Sequence, residues 1–181
     1  MKRAIVVALL ASAVAAPASA IEVTIVPGLR IGKVRLGMTL THVTQRLGTP
    51  QTVNKRAQLP GGRGYIEYGW NFSTIWVGFV NTKGVLHAVL VGTDNVAQKT
   101  RAGIGVGTPI ARVMVQPRAR CYVGTEWLSH PYFDPEQRLG SHCVLAGAGG
   151  RSTVFVLKCI HPRGYGCRDY TVDKVFVRTS F

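Results

Sequence analysis

Acidic residues are scarce in this chain of 181 residues, which contains 8 Asp and Glu against 22 Lys and Arg and has a formal net charge of +14. Catalysis by paired carboxylates therefore has few candidates, and the local group Glu126, Asp134 and Glu136 is best interpreted as solvated loop charges among basic residues. No Gly-x-Ser-x-Gly or His-Glu-x-x-His motif occurs. We therefore expect a protein that is not an enzyme, with no catalytic residues, no metal ligands and no cofactor.

Long apolar runs are missing after the N-terminus. Lys2 and Arg3 precede an apolar run from Ala4 to Ala16, and Ala18-Ser19-Ala20 has the form of a cleavage site. This order is typical of a secretory signal peptide, and the run is too short to span a bilayer. We expect residues 1–20 to be removed, which leaves a net charge of +12 on a secreted or extracytoplasmic chain with no transmembrane segment.

Cysteine is absent from the first 120 residues, and four cysteines follow: Cys121, Cys143, Cys159 and Cys167. An even number in an oxidising compartment indicates two disulfides, for which three pairings are possible. We favour Cys121 with Cys143, which would tie the end of a helix to the next strand, and Cys159 with Cys167, which would close a short loop. The alternative is a zinc site at Cys159, His161 and Cys167, but this spacing matches no standard ligand set.

The segment Gly32–Pro50 contains a helix start, an apolar stripe and a helix stop. Thr39 can cap the helix with its hydroxyl, and Gly48 can end it. Apolar residues fall between them at i, i+3 and i+7, at Leu40, Val43 and Leu47. A helix this short is marginal alone, so we expect it to pack on the strands that follow.

This pattern recurs later in the chain. Residues 36–43, 73–77 and 89–93 are matched in the same order by residues 106–113, 152–156 and 175–179. We interpret the matches as a duplication, with a first α/β repeat at 21–97 and a second at 98–181. The second repeat contains an insertion, Tyr122 to Leu139, between its cysteines.

Three strands are predicted in each repeat, and the short loops between them indicate antiparallel pairing. The predicted strands are Tyr65–Trp70, Ser73–Val80, Val85–Thr93, His142–Gly147, Ser152–Lys158 and Thr171–Thr179. The sequence thus predicts an α+β fold of two tandem repeats, each with a short helical unit packed on an antiparallel sheet of about three to four strands.

The last predicted strand shows which face of the sheet is open to solvent. Val175 and Val177 alternate with Lys174, Phe176 and Arg178, and charged residues belong on the solvated side. Trp76 and Phe155, in the middle strands, have apolar neighbours on both sides, so their face is left undecided. The partner-binding residues that we predict are Trp76, Phe155, Lys174, Phe176 and Arg178 on the sheet and Trp127, Tyr132 and Phe133 in the insertion.

The motif Gly37-Met38-Thr39-x-x-x-Val43, followed by Leu47-Gly48-x-Pro50 and three strands, resembles the outer-membrane assembly lipoproteins of the SmpA/OmlA (BamE) group. Its tandem form is similar to the secreted beta-lactamase inhibitory proteins (BLIP) of actinobacteria, which grip an enzyme with a concave sheet. The resemblance implies two α/β repeats and a protein-binding sheet surface. The second unit departs from the motif, with Pro109 and Pro117 in place of Thr39 and Leu47.

Together these features favour a secreted bacterial binding module that uses its open sheet face, in the manner of an enzyme inhibitor, to contact an extracellular protein. The alternative is a basic protein that binds an anionic cell-wall or envelope polymer, and a cell-wall hydrolase is a third hypothesis. Nucleic acid is not an expected partner, since the cations form no dense run. The sequence does not specify the partner or the oligomeric state.

Overall fold

The computed structural model describes residues 24–55, 65–123, 141–163, 166–167 and 169–179. These residues form thirteen short or medium strands, two α-helices and one 3-10 turn. In chain order the elements are β1 Ile25–Val26, β2 Arg30–Ile31, β3 Val34–Arg35, α1 Leu40–Leu47, β4 Thr52–Asn54, β5 Ile66–Trp70, the 3-10 turn Asn71–Ser73, β6 Ile75–Thr82, β7 Val85–Thr93, α2 Ile110–Met114, β8 Ala119–Tyr122, β9 Ser141–Ala146, β10 Arg151–Cys159, β11 Pro162–Arg163, β12 Gly166–Cys167 and β13 Tyr170–Thr179.

One eight-stranded antiparallel sheet dominates the molecule, in the order β4-β5-β6-β7-β13-β10-β9-β8. Strands β1 to β3 form a separate three-stranded sheet, and β11 pairs with β12. We call β4–β7 the first half of the large sheet and β8–β10 with β13 the second half. The halves join where β7 pairs with β13, with Thr93 opposite Val175 and Leu90 opposite Arg178.

The predicted fold class is therefore wrong. The fold is mostly β, with a single continuous sheet in place of two tandem helix-on-sheet repeats. The prediction failed because the pairing of β7 with β13 joins segments about 85 residues apart in sequence, and strand alternation carries no signal for such a long-range contact. The boundary at residues 97 and 98 stays a prediction.

Strand positions agree with the sequence more closely than the architecture does. Each of the six strands predicted in the large sheet is present, with ends that shift by at most two residues. The hairpin turn between β6 and β7 places Lys83 and Gly84 at φ 53° and 84°, as a two-residue turn with positive φ requires. Gly149 and Gly150, at φ 63° and 68°, form the corresponding turn between β9 and β10.

The helices differ in length and capping. At the start of α1 the hydroxyl Oγ1 of Thr39 accepts a hydrogen bond from the backbone N–H of His42 at 3.3 Å, as predicted. Gly48 ends this helix at φ 82°. Helix α2 has only five residues, and Pro109 before it makes no capping hydrogen bond with its side chain. Each helix buries one valine, Val43 in α1 and Val113 in α2.

The loops before the two helices dock on the sheet with the same backbone bonds. The loop before α1 pairs with β7, and the loop before α2 pairs with β13. Each loop bonds the part of its strand that lies beyond the pairing between β7 and β13. The bonds are Gly37 N–H to Ala88 O at 2.7 Å, Ala88 N–H to Met38 O at 2.8 Å, Gly107 N–H to Val172 O at 2.8 Å and Val172 N–H to Thr108 O at 2.9 Å. Val43 of α1 and Val113 of α2 belong to one core cluster, so both helices lie on the same face of the sheet.

The hydrophobic core fills the space between that face and the helices. Among its fully buried side chains are Trp70, Phe79, Phe155, Ile25, Ile31 and Ile104. The small sheet contributes Ile25, Ile31 and Val34, so it closes the core beside α1. Neither helix of the described residues is long and apolar enough to cross a membrane.

The favoured disulfide pairing is confirmed. Cys121 is bonded to Cys143, its direct partner across β8 and β9, and Cys159 is bonded to Cys167. Two disulfides are compatible with an oxidising, extracytoplasmic compartment. The predicted signal peptide at residues 1–20 lies outside the described residues.

Candidate functional site

Cross-strand register assigns each side chain of the large sheet to a face, because directly paired residues point to the same side. One row across the sheet contains Trp70, Ile75, Thr93, Val175, Phe155, Cys143 and Cys121. This row faces the helices and the core. The next row contains Thr52, Gly69, Trp76, Gly92, Phe176, Val154, Val144 and Arg120, and it faces away from the helices. We call this second side the open face.

An aromatic pair occupies the centre of the open face. The rings of Trp76 and Phe176 meet edge to face, with centroids 5.6 Å apart and planes at 66°. Gly92 lies between them in the register. A Cβ at position 92 would overlap Nε1 of Trp76 and would lie 2.9 Å from Cδ1 of Phe176, so only glycine lets the two rings lie flat on β7.

Two cations of β13 flank this pair. The Nζ of Lys174 lies 6.0 Å from the ring centroid of Trp76, within the range of a cation–π interaction. On the other side of Phe176 the Nε of Arg178 donates a hydrogen bond to Oγ of Ser152 at 3.2 Å. The predicted residues Trp76, Lys174, Phe176 and Arg178 therefore come together on one face.

A shallow, open pocket of about 320 Å³ lies beside Trp76, on the side of β6 where β5 and β4 lie. It has a mixed lining of indole, hydroxyl, amide and carboxylate groups: Thr52, Glu67, Gly69, Trp70, Asn71, Thr74, Ile75, Trp76 and Asp94. Glu67 accepts a hydrogen bond at Oε2 from the hydroxyl of Tyr65 at 3.4 Å. The aromatic pair thus separates an acidic side of the open face from a basic one.

Phe72 is a surface aromatic that sequence reasoning missed. It lies at the tip of the turn between β5 and β6 and is 94% exposed. The turn is tied down on both sides, since the backbone N–H of Asn71 donates to Oε1 of Gln51 at 2.8 Å and Oγ of Ser73 donates to the Trp70 carbonyl at 3.1 Å. The predicted strands leave only Asn71 and Phe72 between them, and an aromatic residue in so short a connection was the available signal for a surface role.

Phe155 does not belong to the open face. It lies on the core face between Val175 and Cys143 and has no exposed surface, so the structure does not bring it together with the other predicted partner-binding residues. The physical reason is that β10 is buried on both sides. The neighbouring Val154 and Val156, on the opposite face, are also buried, so the centre of the strand is apolar on both faces. Only Ser152 and Lys158, near its ends, are polar residues on the open side. Trp127, Tyr132 and Phe133 lie outside the described residues.

The burial of Val154 and Val156 also limits the size of the accessible surface. His142, which faces the same way on β9, is buried as well, and its ring lies 5.2 Å from that of Tyr122. The centre of β10 and the start of β9 are therefore buried on this face too. The accessible part extends from Phe176 across Trp76 to the pocket and to Phe72.

The described residues contain no group of three or more His, Cys, Asp or Glu side chains able to hold a metal ion. The proposed zinc ligands Cys159 and Cys167 are bonded to each other, so their thiolates cannot bind zinc. His161 instead approaches Asp169, with Nδ1 and Oδ2 3.3 Å apart at the surface. Glu126, Asp134 and Glu136 lie outside the described residues.

Comparisons with known proteins add little. No family model matches the chain, and no curated protein sequence matches it. Among solved structures it is similar to the uncharacterized protein yfeY from Escherichia coli, with 11% sequence identity and a TM-score of 0.44. The match covers 83% of this chain and 97% of that chain. A TM-score this low does not establish a shared fold, and the likeness carries no functional argument.

Proposed function

We propose that this chain is a secreted, non-enzymatic binding module that contacts a protein partner through the accessible part of its open face. The observation that supports the proposal best is the Trp76 and Phe176 pair, held flat on Gly92 with Lys174 beside it. Large aromatic rings that stay at a surface, next to cations, have the composition of interaction hot spots.

The arrangement favours a protein partner over a polymer held by charge alone. A partner that covers the two aromatic rings removes their apolar surface from water, which favours binding. The edge-to-face packing already fixes the rings in the free chain, so binding costs less side-chain entropy. Lys174 and Arg178 would orient acidic side chains of the partner toward β13. Phe72 projects from a tied turn and would fill a recess in the partner. An enzyme-inhibitor role is one form of this proposal.

A retention experiment tests the open face directly. The immobilised chain is exposed to culture supernatant and to solubilised envelope proteins, and retained proteins are identified by mass spectrometry. The test variant is Trp76→Ala with Phe176→Ala. The matched control is Met114→Ala with Val115→Ala, which truncates two exposed apolar residues on the helix side. We expect wild type and control to retain the same protein and the test variant to lose it.

Salt separates the protein proposal from the polymer alternative. A contact centred on aromatic rings should persist at high ionic strength, whereas a charge-driven contact weakens as screening increases. Thermal unfolding of each variant shows whether the fold survives the substitutions. Equal retention by wild type and the Trp76→Ala, Phe176→Ala variant would exclude the open face as the binding surface. Retention of no protein by the wild-type chain would contradict the proposal itself.

A further inference from the structure

The segments around the two helices carry only positive charge. Residues 24–50 and 95–118 contain no Asp or Glu, and the acids of the described residues, Glu67, Asp94, Asp169 and Asp173, belong to the large sheet and its adjoining turns. We define the cationic layer as the eight basic residues of these segments: Arg30, Lys33, Arg35, Arg46, Lys99, Arg101, Arg112 and Arg118. This layer lies on the side of the sheet opposite the open face.

Several cations of the layer donate hydrogen bonds to backbone carbonyl groups. Nη1 of Arg46 donates to the Lys33 carbonyl at 3.0 Å, and Nη2 of Arg112 donates to the Ala102 carbonyl at 3.3 Å. The ammonium of Lys99 donates to the Val106 carbonyl. A carbonyl positions a cation without neutralising it, so these side chains keep both a fixed place and a full charge.

Like charges face each other within the layer. Arg30 and Arg35 are direct partners across β2 and β3, an arrangement that destabilises a sheet when the charges match. Lys99 shows the same effect in the other segment, where burial first and Arg112 second lower the pKa of its ammonium. The fold therefore maintains repulsion that an added anion would relieve.

Backbone and side-chain contacts connect the two segments into one surface. The Lys33 carbonyl accepts the hydrogen bond from Arg46, and the preceding residue is Gly32. A Cβ at position 32 would lie 3.8 Å from Nε2 of Gln98, so the two segments meet there. The next residue, Lys99, accepts backbone hydrogen bonds from Thr24 at 3.1 Å and Ile25 at 2.9 Å. The cations thus run from α1 across the small sheet to α2 as an extended track.

We propose that the cationic layer is a second binding surface, which takes a linear polyanion carrying regularly spaced phosphate or carboxylate groups. An extended track of cations, several of them fixed by carbonyl groups, matches a chain of repeated anions better than a single small anion. The segments contain no Phe, Trp or Tyr. A bilayer surface is usually engaged with aromatic anchors, and single-stranded nucleic acid with stacking platforms, so the absence of aromatic residues from the layer favours a polymer read by charge alone. This surface is independent of the open face.

The test measures the affinity of the full mature chain for inorganic polyphosphate over a series of salt concentrations, with polygalacturonate as the carboxylate probe. The test variant is Lys33→Gln with Arg35→Gln and Arg101→Gln, three exposed cations whose side chains make no hydrogen bond to the described residues. The control is Lys55→Gln with Lys83→Gln and Lys158→Gln, which removes the same charge from the large sheet and its turns.

Binding of a polyanion releases counterions, so the logarithm of the affinity falls linearly with the logarithm of the salt concentration. We expect the test variant to reduce this slope by about one unit per cation removed, and the control to leave the slope close to that of wild type. Whichever probe binds more tightly identifies phosphate or carboxylate as the preferred group.

Three outcomes would overturn the proposal. The first is equal slopes for the two triple variants, which would mean that only net charge matters. The second is a wild-type affinity that does not depend on salt. The third is binding to phosphatidylglycerol vesicles, weakened by Met114→Gln with Val115→Ser, without binding to either polymer. That result would assign the layer to a lipid surface, since Met114 and Val115 are 59% and 77% exposed beside Arg112.

Discussion

Each half of the large sheet supports one helix, and the loops before the helices make the same pair of backbone hydrogen bonds to β7 and to β13. Beyond this docking the halves differ. The first half has no cysteine, an eight-residue helix with a side-chain cap, and an indole hydrogen bond from Nε1 of Trp70 to the Gly48 carbonyl at 2.8 Å. The second half has a five-residue helix without such a cap and both disulfides.

The difference teaches that similar docking can be stabilised in two ways. In the first half, local helix signals and a long-range indole contact hold the α1 unit on the sheet. In the second half, a disulfide directly after α2 restricts the unfolded chain where the helix itself is too short to contribute much. The open face shows a related division, since its accessible part lies on the first half and on β13, whereas β10 buries Val154 and Val156.

The largest effect is expected from the disulfide that follows α2. Cys121→Ala with Cys143→Ala opens a loop of 22 residues and should lower the free energy of unfolding by about 3 kcal/mol, through the added entropy of the unfolded chain. Urea unfolding at equilibrium measures this change. The comparison variant, Cys159→Ala with Cys167→Ala, opens a loop of only 8 residues and should cost less. A larger loss for the shorter loop would contradict the role assigned to the Cys121–Cys143 bond.

A smaller effect is expected at the cap of α1. Thr39→Ala removes the hydroxyl that accepts from the His42 N–H and should cost about 1 kcal/mol in unfolding free energy. Thr39→Ser keeps the hydroxyl and serves as the matched control. The same urea titration compares all three proteins. If Thr39→Ala were as stable as wild type, α1 would depend on packing alone, and the contrast with α2 would disappear.

Sequence reasoning succeeded where the signal is local. The cap at Thr39 and the end at Gly48 define α1, and strand alternation with short turns locates the strands of the large sheet. The disulfide pairing followed from the order of the cysteines along the chain. Each of these features depends on residues close to one another in sequence, for which spacing is informative.

Sequence reasoning failed where faces and pairing depend on the whole sheet. An extra residue, Val89, interrupts the register between β6 and β7, so Ala88 lies on the core face although Leu90 lies on the open one. A strict alternation cannot anticipate such a bulge. The candidate site was recovered in part. The strand register places Trp76 beside Phe176 on the open face, whereas Phe155 lies in the core. Phe72 was overlooked because its turn was considered only as a connection between strands.

The smallest effect is expected at Lys99, in the connection between the halves, and it takes the form of a pH dependence. Burial and Arg112 lower the pKa of Lys99 in the folded chain, so between that pKa and the ordinary lysine value the unfolded chain binds more protons. The free energy of unfolding should therefore rise with pH across this interval, and below it the penalty on the charged folded form is fully present.

Lys99→Met removes the titrating group, so the stability difference between this variant and wild type should shift in favour of wild type as pH rises from neutral toward about 10. Arg112→Gln keeps Lys99 but removes one of the two causes of its lowered pKa. The stability of this variant should therefore still rise with pH, but by less than that of wild type. Urea unfolding at several pH values measures both. A wild-type stability that falls with pH relative to Lys99→Met would show that the Lys99 ammonium is favoured in the folded chain, and would remove the repulsion inferred for the connection between the two helices.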